Sequence, residues 1–382
     1  MPVQLIDARG CHASTRYRKQ GGFQSGLSVA LLAGTVNAAC TGYRPVPVSR
    51  SATDLAPKPV PGTPFTELWT GHPGRGPSAP LAREDSVVFV GGSDRRVVSV
   101  DLRSGAIRWA IRLAGPLVAG ILQDSDFVFA GTDLPDGKIY KLKSLSGSRV
   151  WSTAVRGITA PLAMMDGLLI AQSRPGQTYG LDPKTGNVRW RSRTGRGRAT
   201  PVPGDSATVI ITAFDSLFRL ATRDGRVLLR TKAPGTLLSD WVATDTSLIG
   251  GSADSTVVAV RPRDFRLLWR VKLDAPVLVS PAVRGDTVFA VTRIGTLYRI
   301  LTDSAARAEP IATLAWPVTG GPVWFGNLLL LGGADGVIRA LDGTGAEAWR
   351  LTVGRPVEIP PFILDDGLLA LGGRGDLHRY RP

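Results

Sequence analysis

The chain has 382 residues, 43% hydrophobic and 20% charged, with 46 Lys and Arg against 31 Asp and Glu. That is enough apolar mass for a sizeable core and excludes a disordered chain; no apolar run approaches the roughly 18 residues of a spanning helix. The cysteines are Cys11 and Cys40 and the histidines His12, His72 and His378. The body therefore has no disulfide, thiol nucleophile, iron–sulfur cluster or Cys-based zinc site, and a His-rich metal site or a Ser-His-Asp triad is hard to build.

In chain order, Arg16, Arg18 and Lys19 are a basic start, and Leu27 to Val36 is an apolar run of signal-peptide length. Asn37-Ala38-Ala39-Cys40 resembles the bacterial lipobox, with Asn37 departing from its usual Leu, Val or Ile. That resemblance implies cleavage before Cys40 and its lipidation; the alternative is an ordinary secretory signal with an unmodified cysteine. The expected segments are a signal peptide over 1–39, a tether over 40–64 and a folded body over 65–382. The tether is marked by Pro45, Pro47, Pro57, Pro59, Pro61 and Pro64, an extended, partly polyproline spacer. Thr41, not Asp, follows the cysteine, which by the lipoprotein sorting pattern implies transfer to an outer membrane.

The body repeats. Trp69, Trp109, Trp151, Trp190, Trp269 and Trp349 form a ladder with gaps of 40, 42, 39, 79 and 80. The two long gaps are double steps, with Leu229 at one missing rung and the other near Glu309. Each unit opens on a proline, such as Pro116 or Pro361, and continues with an apolar strand such as Val87–Gly92. An alternating strand and a Gly-containing turn follow, and the last strand ends in Trp. Four strands per roughly 40 residues is a propeller blade. The ladder predicts an all-β, eight-bladed β-propeller of four-stranded antiparallel blades, with the Trp side chains packing between blades. The last unit, Pro361 to Tyr380, has only three strands, and Phe65 to Trp69 is a lone fourth. Together they complete one blade, which removes the exposed edges of an open ring.

Asp-x-x-Thr-Gly-x-x-x-Trp, as in Asp182 to Trp190, resembles the pyrroloquinoline-quinone-type (quinoprotein-like) propeller repeat. The fourth, fifth and sixth units depart from it, at Leu229, at Arg263-Asp264-Phe265-Arg266 and over Asp303 to Pro310. Joined to a lipobox and a Pro-rich tether, the repeat resembles the BamB family of outer-membrane-protein assembly lipoproteins. That resemblance implies a non-catalytic periplasmic scaffold, monomeric within a complex, without a cofactor and bound to the barrel-forming subunit of the assembly machine. It places the chain on the periplasmic side of the outer membrane, anchored by lipid at Cys40. The alternatives are a cell-surface ligand- or polymer-binding propeller and a quinoprotein dehydrogenase. Against the enzyme, the body lacks the adjacent-cysteine pair of many such enzymes and is shorter than they are. Asp94, Asp254 and Asp335 recur in equivalent Gly-rich turns, a pattern of turn hydrogen bonding and not of catalysis.

Charge leaves one further signal. Arg189, Arg191, Arg193, Arg196 and Arg198 cluster in what reads as the connection between the third and fourth blades. Of these, Arg191, Arg193, Arg196 and Arg198 are the candidate partner-binding residues, suited to an acidic partner, lipid phosphate or a polyanion. No aromatics interleave them, so nucleic acid is not an expected partner. His72 and His378 are expected at the surface.

Overall fold

The computed structural model describes residues 64–382 apart from 205–206 and 303–305, together with a pairing of Leu5–Ile6 with His12–Ala13. The chain divides into a unit of residues 1–54 and a unit of 55–382. Apart from that pairing and Pro64, the expected signal peptide, Cys40 and the tether lie outside the described residues.

The larger unit is built of eight four-stranded antiparallel sheets. Blade 1 is Pro77–Glu84, Val87–Gly92, Arg96–Asp101 and Ile107–Arg112, paired in sequence order. Blades 2 to 7 repeat it over 121–154, 163–193, 202–232, 242–272, 282–313 and 318–352. Blade 8 takes three strands from 362–381 and its fourth from the other end of the body. Thr66–Gly71 pairs antiparallel with Leu377–Arg381, placing Trp69 opposite Arg379.

The sequence pattern explains the layering. The second and third strands of each blade are near-continuous apolar runs, as in Leu168–Gln172 and Thr256–Val260, and are covered on both faces. The fourth strands alternate, with one side buried against a neighbour and the other in water, as in Leu267–Lys272. Among the described residues the buried apolar side chains form eight clusters, each straddling two consecutive blades. One of them joins Val88 and Val90 of blade 1 to Leu369 and Leu371 of blade 8, so the ring is closed. No blade holds a core of its own, and stability belongs to the seams.

One face of the ring carries a repeated latch. The connection entering each blade accepts a main-chain hydrogen bond from that blade's second hairpin, in all eight blades. Ser93 donates to Gly76 at 2.8 Å, Arg174 to Gly157 at 2.7 Å and Gly373 to Pro356 at 2.8 Å. Pro201, Pro281 and Pro361 immediately precede the first strands of their blades and Pro161 stands two residues before its own; at blade 5 Trp241 takes that place, buried, its indole N–H donating to Thr212 Oγ1 at 2.6 Å.

His72 and His378 both belong to the closing region. His72 is exposed and meets Asp376 at 2.6 Å. His378 departs from expectation: its side chain is only 12% exposed, because the N-terminal strand covers it with Glu67 and it stacks on Tyr380.

Candidate functional site: seams, hub and rim

The ladder residues occupy one register position. Trp109, Trp151, Trp190, Trp269 and Trp349 each lie opposite the third-strand residue that precedes a bulge, and Leu229 and Ser99's partner Trp109 are equivalent by that rule. From there, and from Trp69 on the closing strand, four of the rings donate across the seam. Trp69 Nε1 donates to Leu102 O at 2.9 Å, Trp109 to Ser144 O at 2.7 Å, Trp151 to Pro183 O at 3.1 Å and Trp190 to Thr222 O at 2.7 Å. Every acceptor sits in the last hairpin of the next blade. The glycine of that hairpin serves two needs. Its φ is +72° at Gly105, +69° at Gly147 and +76° at Gly186. A Cβ there would stand 2.7 Å from the Trp of the preceding blade. The Thr-Gly…Trp motif is thus a lock between blades.

Trp269 and Trp349 pack across their seams without a hairpin glycine beneath them, Trp349 against Phe65 at 4.9 Å, and the two seams without a rung Trp are filled by other means. At blade 4 the rung is Leu229, and the next hairpin carries Phe265 at the glycine position, with φ +56° and 6% exposure. Leu229 and Phe265 pack in the same cluster, so the large and small partners have exchanged sides. At blade 6 the rung is Glu309 and the bulge is displaced to Leu297/Tyr298. Blade 7 supplies the missing aromatic from its first strand: Trp324 meets Phe289 edge-on at 5.4 Å and donates to Val283 O at 3.1 Å. A third-strand base opposite the rung adds a second bond across three seams. Lys141 donates to Pro183 O at 2.9 Å, Arg219 to Arg263 O and Arg379 to Leu102 O. Sequence reasoning missed these; the signal was a base alone in an apolar strand.

Asp94, Asp254 and Asp335 are held by their own hairpins. Asp94 accepts from the N–H of Arg75 at 3.2 Å and of Arg96 at 3.3 Å, and Asp335 takes Arg339 at 2.6 Å. Burial opposes ionisation of Asp254, but the Ser252 and Thr256 hydroxyls more than offset it and its pKa is lowered. The aspartates opening the last hairpins are also depressed. Arg108, and then the Ser104 N–H, hold Asp101 far below the usual carboxylate range. Arg189 lowers the pKa of Asp182, Thr344 that of Asp342 and Arg381 that of Asp366. Arg261 brings Asp264 down to about 2. A depressed carboxylate stabilises the fold above its unfolded value, near pH 4, and that contribution fades as pH falls through the folded value. Melting temperature should be flat from pH 8 to about pH 5 and fall below about pH 4. Asp101→Asn should lower the plateau and weaken the acid dependence; an unchanged acid slope would remove Asp101 from that account.

A cavity of about 510 Å³ is lined by residues from seven of the eight blades and so lies at the hub. Its walls come mainly from the connections entering the blades: Leu238, Leu278, Ile359 and Pro360 are apolar, and Arg198, Asp240 and Glu358 are charged. Arg198 enters blade 4 and Glu358 enters blade 8, which stand opposite in a ring of eight. Asp240 accepts from the Thr200 N–H at 2.5 Å. Ser239 Oγ, buried at the wall, has no partner. Among the described residues no three of His, Cys, Asp and Glu come together in a way that could hold a metal ion. The carboxylate-rich donor set that a calcium ion requires is not assembled here.

The arginine cluster is not a connection, as the sequence reading had it. Arg189, Arg191 and Arg193 lie on the fourth strand of blade 3, because the alternation of Val188–Arg193 buries Trp190 and turns the arginines outward. Only Arg196 and Arg198 lie in the connection. Arg189 is engaged with Asp182 at 2.5 Å. The four candidate arginines therefore divide, with Arg198 at the hub cavity, Arg196 beside it in the chain, and Arg191 and Arg193 on the outer rim; all four are exposed.

Eight blades of this repeat, with four seams locked by a Trp against the next hairpin's glycine, define a pyrroloquinoline-quinone-type propeller. The sequence matches the family described as outer membrane protein assembly factor BamB over residues 66–201 and 176–304, and the chain belongs to that family. It is 28% identical over 371 residues to outer membrane protein assembly factor BamB of Burkholderia pseudomallei, spanning 87% of this chain and 93% of that one. The crystal structure of BamB from Moraxella catarrhalis superposes with a TM-score of 0.72 at 18% identity, over 83% of this chain and 98% of that one. Quinohemoprotein alcohol dehydrogenase from Comamonas testosteroni gives a TM-score of 0.64 at 12% identity, over 83% and 76%. At these identities the two structures share the fold alone.

Proposed function

We propose that the protein is a non-catalytic scaffold lipoprotein of outer-membrane β-barrel assembly, held by lipid at Cys40 on the periplasmic side. It docks a protein partner on the hub-side face, and the barrel-forming subunit is that partner. The family match over more than half of the chain carries this reading. The hub chemistry agrees with it: one base, two acids and an apolar wall suit recognition, not redox catalysis. Arg196 and Arg198 are the bases placed to meet an acidic partner there.

The test is capture of the tagged full chain from its own envelope. The unaltered protein should recover the barrel-forming subunit, and the double variant Arg196→Glu/Arg198→Glu should lose most of it at an unchanged melting temperature. Recovery of no assembly subunit would overturn the reading. Calcium and the quinone cofactor should give no dye-linked dehydrogenase signal; a turnover above background would favour the enzyme. The hub cavity, with the unpartnered Ser239 hydroxyl, favours a small-ligand reading as the runner-up.

A further inference from the structure

We infer that the outer rim of blades 3, 4 and 5 is a docking surface for an anionic lipid bilayer. This rests on the envelope placement proposed above and adds which side of the disc meets the lipid.

Register supplies the argument. Trp190, Leu229 and Trp269 are equivalent rungs on three adjacent fourth strands. The next residue is Arg191, Arg230 or Arg270, and two further on stands Arg193, Lys232 or Lys272. All six are exposed. The same two positions hold Ala110 and Arg112 in blade 1, Ser152 and Ala154 in blade 2, and Arg350 and Thr352 in blade 7. The paired bases are thus confined to one arc of the ring. On the other side of the rungs the same strands expose Val188, Val227, Leu228, Leu267 and Leu268, each 38–44% accessible. The strands of blades 4 and 5 are therefore cationic at one end and aliphatic at the other, and in blade 3 Arg189, paired with Asp182, stands beside Val188 at the second end.

The charges are not spent internally. Among the described residues none of the six forms a salt bridge. Lys272 donates to the Asp254 main-chain carbonyl at 2.6 Å and Arg270 to that of Pro234. Arg230 lies 5.3 Å over the Phe218 ring. The Asp254 carboxylate, which interacts with Arg270, is already engaged by Ser252 and Thr256. Protein interfaces concentrate Tyr, Trp and Phe at their centres; here the Trp side chains are turned into the seams and no aromatic residue is exposed on the band. Bases beside aliphatic side chains suit a headgroup layer over hydrocarbon. The tether does not select a side: its 25 residues from Cys40 to Pro64 reach about 75 Å when extended. The rim charge does.

The experiment uses the full chain with Cys40→Ser, so that no acyl chain contributes. Binding is measured by sedimentation with phosphatidylethanolamine–phosphatidylglycerol vesicles and with phosphatidylcholine vesicles. The rim variant is Arg191→Glu/Arg193→Glu/Arg230→Glu/Lys232→Glu. The control, Arg103→Glu/Arg112→Glu/Arg293→Glu/Arg374→Glu, changes net charge equally on other blades. The parent chain should prefer the anionic vesicles and release in high salt, and the rim variant should bind about a hundredfold more weakly. The control should stay close to the parent, with all melting temperatures alike. Equal loss in rim variant and control, retained binding in the rim variant, or equal binding to both vesicles would each overturn the inference. Loss of protein capture with vesicle binding intact would do so too, by making the rim a protein interface. The capture test through Arg196 and Arg198 uses other residues, so either proposal can fail without the other.

Discussion

Leu229→Trp should destabilise the propeller by about 2–3 kcal/mol, and Phe265→Gly in the same chain should recover most of that loss. At four seams a Trp of one blade rests on the hairpin glycine of the next, with the indole N–H tied to a carbonyl of that hairpin. At the seam between blades 4 and 5 the space over the hairpin is already filled by Phe265. A Trp at 229 would collide with it, as a Cβ on Gly147 would collide with Trp109. Phe265→Gly alone should cost about 3 kcal/mol through the cavity it leaves, reduced by relief of its left-handed backbone. The double variant restores the common lock and should lie within about 1 kcal/mol of the parent, a coupling of about 4–6 kcal/mol that exceeds the roughly 0.5–3 kcal/mol usual for touching residues, because a collision and a cavity cancel each other. Urea unfolding of the four chains measures it. Additive losses would mean that the seam is not the shared site.

This exchange also shows where sequence reading stops. The ring was legible because its rungs are large, rare residues at a fixed spacing, and the hairpin glycines are demanded by backbone conformation as well as by the rings above them. The fourth-blade departure at Leu229 and the fifth-blade departure at Phe265 read as two separate drifts. They are one contact, and only three-dimensional proximity joins them. Trp241, Trp316 and Trp324 fell outside the ladder because they belong to first strands or to the connections before them, whose spacing carries no period. The hub cavity was invisible for a similar reason. Its wall is assembled from one or a few residues per connection, and nothing in a connection's local sequence states that it faces the axis. Charge density alone does not separate a connection from the outer strand of a blade: the arginines at 189–193 are turned to solvent by alternation about Trp190.

Trp69→Ala and Trp109→Ala should each cost about 3 kcal/mol, yet they should fail differently. Trp109 stands at the seam of blades 1 and 2, whose strands are covalently continuous with their neighbours. Trp69 stands on the closing strand, held to blade 8 by pairing with Leu377–Arg381 and to blade 1 by its bond to Leu102. Arg379, 7% exposed at its side chain, reaches the same Leu102 carbonyl and pairs with Asp366 at 2.7 Å. Phe65, one residue before the strand, lies 4.9 Å from Trp349 of blade 7. The single strand therefore bears on blades 7, 8 and 1 at once. Removing its ring should let the strand open before the ring as a whole unfolds, baring the edge of Leu377–Arg381. Hydrogen exchange by mass spectrometry should show protection falling in 66–71 and 377–381 for Trp69→Ala, while Trp109→Ala leaves those segments protected and loosens 107–112 and 138–154. Unchanged protection at 377–381 in Trp69→Ala would show that the ring stays shut without this contact, and the closing role would pass to the apolar cluster between blades 8 and 1.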